Sequence, residues 1–178
     1  MNDTDIETPF QEINTLKKLW WLHDSYWHAT AVRELGEECA NRLNIQANEL
    51  FFRKYTLMLL KSGQIEKPEN IEDLVAIFRK IWANCFFDDM YVHEPITIDG
   101  NKATWVGQQC NAFDSLQIAN MIKGYACGCQ AIRNGVMKAL RLEPVHSIEE
   151  SLVNGDSRCV ITFSYVPKRE HFQPRNTP

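Results

Sequence analysis

MYVHEPITIDGNKATWVGQQ, residues 90–109, is where the chain changes its period. Met90, Val92, Glu94, Ile96 and Ile98 alternate with Tyr91, His93 and Thr97, and Asp99-Gly100 supplies a turn before residues 103–109. Alternation on both sides of an Asp-Gly pair predicts an antiparallel β-hairpin. Pro95 cannot donate to a sheet ladder, so the strand should have an edge or a bulge there, with Glu94 exposed beside it.

On the N-terminal side the period is helical. Asn14 or Thr15 can cap a helix reaching to about residue 43, in which Leu16, Trp20, His23, Trp27, Thr30, Ala31 and Leu35 form one stripe. Leu50, Phe51, Leu57 and Leu60 continue the pattern to Gly63, placed for a C-terminal cap. Asn70 caps a third helix, with Asp73 three residues on and Ile71, Leu74, Val75, Phe78, Ile81, Trp82 and Cys85 at helical spacing.

On the C-terminal side, residues 114–142 read as helix interrupted near Gly124 or Gly128, and 144–166 as a second hairpin turning at Asn154-Gly155. Two hairpins and about four helices predict an α+β fold, in which N-terminal helices pack on one face of a four- to five-stranded antiparallel sheet built from the two hairpins. One domain, 14–166, is expected between a flexible N-terminus, 1–13, and a flexible tail, 167–178.

With 178 residues, 44% of them hydrophobic, the chain can bury a core, which sets it apart from disordered sequences. Nineteen basic against 23 acidic side chains leave a formal charge of −4, which offers no footprint for nucleic acid or an anionic membrane. No apolar run approaches the roughly 20 residues of a membrane span, and the acidic MNDTDIETPF start lacks the features of a signal peptide. A soluble cytoplasmic protein is expected, and its six cysteines are too sparse for a disulfide scaffold.

Three places carry side chains that could do chemistry. In LWWLHDSYWH, 19–28, His23 falls between Trp20 and Trp27 on the stripe, and Asp24 lies four residues before His28. Aromatic walls with an imidazole and a carboxylate suit a small-molecule pocket, whereas the plainer reading is a core histidine among space-filling tryptophans. In the second hairpin, period two puts His146, Ile148, Glu150 and Leu152 on the face of Cys159, Ile161, Phe163 and Tyr165, with Glu150 opposite Cys159. A carboxylate there needs a partner or has a raised pKa, unless it points outward at the edge.

The third place is YACGC, 125–129. Cys127 and Cys129 match neither the redox spacing Cys-x-x-Cys nor the usual zinc knuckle, and on a helix they would diverge by about 200°. Only a break at Gly128 lets both face one pocket. They read as structural thiols, as a nucleophile or redox thiol, or as a metal clip, and Cys110 after the first hairpin can approach the same region.

The C-terminal stretch 124–165, with Cys127, Gly155, Asp156, Cys159 and Phe163, resembles the end of the 4-vinyl reductase domain superfamily. It is also similar to the L-2-amino-thiazoline-4-carboxylic acid hydrolase family, which has a central cysteine and a Gly-Asp-x-x-Cys before the last strand. LHDSYWHATAVRELGEECA, 22–40, resembles an uncharacterised branch of the same kind through Asp24, Trp27, Gly36 and Ala40. Zinc-binding members of the reductase group carry a glutamate and a cysteine where this chain has Ile148 and Ser151, so that metal site is expected to be absent. The resemblance implies a ligand-sized cavity between helices and sheet, serving hydrophobic or aromatic effectors in some relatives and ring-opening hydrolysis in others.

Two functions follow as expectations. The first is a hydrolase of a small cyclic C=N or thio-substrate, with Cys127 as nucleophile, His23 activating it, Asp24 orienting the histidine and Glu150 as acid or base. The second is a sensor or carrier without catalysis, whose pocket of Trp20, Trp27, Trp82 and Phe113, with Cys110 and Cys159 nearby, holds an apolar or aromatic ligand. A metal-dependent hydrolase is a third, needing cysteines with His23 or His146 around the ion. No cofactor is expected. A homodimer is, because the Trp20/Trp21/Trp27 helix is apolar on more than one face.

Overall fold

Gly36 ends the first helix. In the computed structural model, which describes residues 7–119, 121 and 124–168 (7 and 8 by backbone only), α1 (Glu7–Leu35) and α2 (Glu37–Lys61) are separated by this one residue. Its φ of 81° lies in the left-handed region that glycine enters without a Cβ penalty. The helix expected to reach residue 43 therefore stops at 35, and one continuous helix runs from 37 to 61. Residues 7–13, expected to be flexible, are helical. Residues 1–6 and 169–178 lie outside the described residues, while Pro167 bridges to Leu142.

α3 (Ile71–Cys85) begins as expected: the Asn70 side chain accepts a 2.8 Å hydrogen bond from the Asp73 amide. Its apolar residues Ile71, Leu74, Val75, Ile77, Phe78 and Ile81 are buried. After Asp88 the alternating stretch folds as β1 (Tyr91–His93), β2 (Thr97–Asp99) and β3 (Lys102–Cys110), followed by α4 (Asn111–Ile118) and α5 (Cys129–Ala139). β4 (His146–Glu150) and β5 (Cys159–Ser164) form the second hairpin. The sheet is five-stranded, antiparallel and open, in the order β1-β3-β5-β4, with β2 also paired to β3. β1 and β2 are one edge strand interrupted at 94–96, beside Pro95, where the Glu94 amide still reaches the Val106 carbonyl at 2.9 Å.

Register separates the faces. Ala103 pairs with Phe163, Trp105 with Ile161 and Gly107 with Cys159, and this face meets the helices: Phe163 lies edge-on to Phe78 of α3, with centroids 5.1 Å apart. The opposite face carries Thr104, Thr162 and Glu149, joined by hydroxyl and carboxylate contacts of 3.1 to 3.3 Å. The fold is thus α+β, with helices packed on the inner face of the sheet. α5 lies directly on α2, where a Cβ at Gly135 would strike the backbone of Glu49 and Arg53. Gly135 is the residue that permits this close approach.

Two local expectations are corrected. A register slip between Ile148 and Glu150 pairs Glu150 with Val160, so Glu150 lies on the face opposite Cys159. The stripe on α1 is displaced by one residue. Leu16, Trp20, His23 and Trp27 are exposed, and the inward face is Trp21, Asp24, His28 and Ala31. Tertiary packing selected that face: the Trp21 indole stacks on Phe86 at 5.1 Å and donates to the Cys85 carbonyl at 2.9 Å.

Candidate active site

α2 carries Asn41, Asn44 and Asn48 along one side, at spacings of three and four residues that align them on the helix surface. Asn41 clamps the irregular segment before α5. Its amide nitrogen donates to the Gly124 carbonyl at 2.6 Å, and its oxygen accepts from the Ala126 amide at 3.1 Å. Asn48 donates to both oxygens of Asn44 at 2.9 Å and crowds the α-carbon of Gly128, where a Cβ would stand 3.2 Å from its nitrogen. Gly128 is the N-cap of α5, so the helix does begin at Cys129 and Cys127 precedes it on irregular backbone. The condition for the two thiols to converge is met.

Its neighbour Cys129 holds the Cys127 thiol below the ordinary cysteine range against the opposing effect of burial. Cys129 is held well above that range by Cys127 and by its own burial. Tyr91 favours ionisation of Cys129, and its own phenol is pushed up by burial. Arg133 stands one helical turn beyond Cys129 and is only 4% exposed. Its positive charge favours ionisation of Cys129 and Cys159. Of the two, Cys127 is therefore the thiol that ionises more readily.

Asp24 lines the same small cavity, of about 60 Å³, as Trp21, Asn48, Tyr91, Cys127 and Cys129. Desolvation raises its pKa, and the charges of His28 and His23 oppose the rise. His28 is buried, edge-on to Tyr125 with centroids 5.6 Å apart, and its pKa is lowered by desolvation. The cavity adjoins an open apolar groove of about 600 Å³, with which it shares Trp21, Asp24 and Asn48. Trp20, Phe51, Phe52 and Tyr55 wall that groove, and Trp20 stacks over Phe51 at 6.3 Å.

The other candidates divide. Cys110 and Phe113 line the cavity with Cys127, and burial pushes the Cys110 thiol up to about 12. Trp20 lies in the outer groove, Trp27 is exposed, and Trp82 walls a separate cavity against the sheet. His23 is exposed and lines none of these three spaces. Glu150 is taken up by Arg158, which grips it with two hydrogen bonds of 2.8 and 2.9 Å that lower its pKa. Cys159 accepts from the Leu152 amide at 3.4 Å, Asp156 accepts from the Ser151 amide at 2.7 Å, and Gly155 between them has φ 95°. The Asn-Gly-Asp-x-x-Cys motif therefore builds the turn between β4 and β5. Among the described residues no group of three or more His, Cys, Asp and Glu side chains could hold a metal ion.

Asn41, Asn48, Trp21, Tyr91 and Arg133 are missing from the sequence reading of the site. The asparagine spacing on α2 was a usable signal, since three amides on one side of a helix need partners. Arg133 gave none, being an ordinary helix residue until α5 is laid against the sheet. No helix of the described residues is long and apolar enough to cross a membrane. No protein-family model matches the chain, and no curated protein matches it.

Proposed function

We propose that this chain is a thiol hydrolase acting on a small cyclic C=N or thio-substrate, with Cys127 as nucleophile and Asp24 as general acid. One juxtaposition carries the reading: a thiol held down and a carboxyl held up line the same cavity. Environments that push two titratable groups apart mark an acid and a nucleophile at neutral pH.

For a cyclic thioimidate the chemistry runs in two halves. The Cys127 thiolate adds to the carbon of the C=N bond as the Asp24 proton goes to nitrogen. Expulsion of the ring sulfur opens the ring, that proton passes to the departing thiolate, and the substrate is left on Cys127. Water then adds to this carbon, the Cys127 thiolate leaves, and the released proton returns to Asp24. The apolar groove suits the body of such a substrate, while only its reactive end needs the 60 Å³ cavity. Asp24 takes over the acid role that the sequence reading gave to Glu150, and no histidine is assigned to activate a thiol whose neighbour already lowers its pKa.

The groove, walled by five aromatic side chains, also favours a second reading as an apolar-ligand sensor without catalysis. Phe10, Leu16, Tyr26 and Trp27 lie exposed along α1, which supports a homodimer, checked by light scattering. The test of function is a panel of thiazolines and cyclic amidines, with mass spectrometry of Cys127 after quenching. The enzyme reading expects turnover and an adduct on Cys127, abolished in Cys127→Ala and slowed in Asp24→Asn. Absence of turnover, with Cys127 alkylating no faster than the other thiols, would favour the sensor.

A further inference from the structure

On the side of Arg133 away from the thiols, a second cavity of about 300 Å³ lies between α3, α5 and the inner face of the sheet. Phe78, Trp82, Trp105 and Phe163 give it aromatic walls, His93 stands at one side with its ring 6.0 Å from that of Trp105, and Arg79 and Arg133 supply the charge. Among the described residues no carboxylate lines it. Arg133 is the anomaly, since its Nε and Nη2 are buried and have no hydrogen-bond partner. Trp82 repeats it in the same wall with an unpartnered, buried indole N–H.

A buried guanidinium with empty donors is strongly unfavourable unless an anion meets it. The nearby Cys129 and Cys127 thiols offset part of that charge when ionised, but they leave Nε and Nη2 unbonded. The geometry points to a site for an aromatic carboxylate in this cavity: the ring packs among Trp82, Trp105 and Phe163, and the carboxylate takes the free donors of Arg133 and the Trp82 indole. Phosphate suits it less, because the walls are rings rather than polar groups and one guanidinium with one indole N–H matches the two oxygens of a carboxylate. The site is separate from the thiol cavity and does not depend on Cys127 being a nucleophile.

The experiment is calorimetric titration of the full chain with 2-naphthoate and, separately, 2-naphthamide, which has the same ring without the charge. The acid should bind at least tenfold more tightly than the amide. Arg133→Gln should remove that preference, and Trp82→Phe should weaken acid binding while keeping the ring wall. Equal binding of acid and amide to the unaltered chain overturns the site, and that comparison needs no variant to fold. Acid binding that survives both Arg133→Gln and Trp82→Phe places the ligand elsewhere and also overturns it. If neither compound binds and Arg133→Gln slows alkylation of Cys127, the arginine serves only the thiolate and the site is refuted. Loss of hydrolysis with retained naphthoate binding would remove the thiol-enzyme reading and leave this one standing.

Discussion

Cys127 and Cys129 flank Gly128 and line one cavity, where Cys129 lowers the pKa of Cys127. Two residues apart on a continuous helix they would face away from each other. They converge because α5 starts at Cys129, and because Asn41 of α2 fixes the preceding peptide at Gly124 and Ala126.

Removing the Cys129 thiol should be visible in the reactivity of Cys127. In a pH series with iodoacetamide and peptide mapping, Cys127 is expected to alkylate fastest, with its midpoint below the ordinary thiol value. Cys129→Ala should move the midpoint upward by about one to two units, since a hydrogen bond to a charged acceptor contributes roughly 1.5–3 kcal/mol. An unchanged midpoint would mean that Cys129 does not set the ionisation of Cys127.

Asp24 and His28 should bend the stability curve in opposite directions. The folded pKa of Asp24 is raised, so the native state holds more protons and stability falls as pH rises from 3.8 through the raised value. The folded pKa of His28 is lowered, so the unfolded state holds more protons and stability falls as pH drops through 6.5 towards the folded value. Urea melts across pH 3 to 8 should show the first trend vanish in Asp24→Asn. The second should vanish in His28→Gln.

Gly135 allows α5 to lie against α2, and alanine there would push into the backbone at Glu49 and Arg53. Backbone cannot rotate away as a side chain can. Gly135→Ala is expected to cost about 1–3 kcal/mol in urea unfolding, despite alanine's higher helix propensity. A stabilised variant would show that the two helices do not cross so closely.

Asp156 serves the β4–β5 turn rather than the thiol chemistry, since its carboxylate accepts from the Ser151 amide. Asp156→Ala should lower the unfolding midpoint and leave the alkylation rate of Cys127 as it was. If the rate fell in a folded variant, the motif would have a part in the site after all.

How much of this was legible depends on the range of the interaction. The hairpin at 90–109 was readable because period two and Asp-Gly act between neighbours, and the Asn70 cap because its partner is three residues away. The buried side of α1 was not. Leu16, Trp20 and Trp27 are as apolar as the face that packs, so α1 has two candidate stripes, and Phe86 together with the Cys85 carbonyl chose between them from more than 60 residues away. Glu150 was misplaced because one slipped register inverts a face, and the slip is invisible in a pattern that remains alternating.

The sequence by itself determined the α+β class, the two hairpins, the helix break near Gly124–Gly128 and the thiols available for chemistry, because each follows from backbone preference and local period, whereas the break at Gly36 was not read from it. Only the tertiary structure decided that Cys127, Cys129 and Asp24 share a cavity, that His23 faces outward, and that Arg133 is buried with free donors. Ionisation and burial depend on what packs from distant parts of the chain. Those neighbours come from α1, α2 and the sheet, whose mutual placement no local pattern encodes.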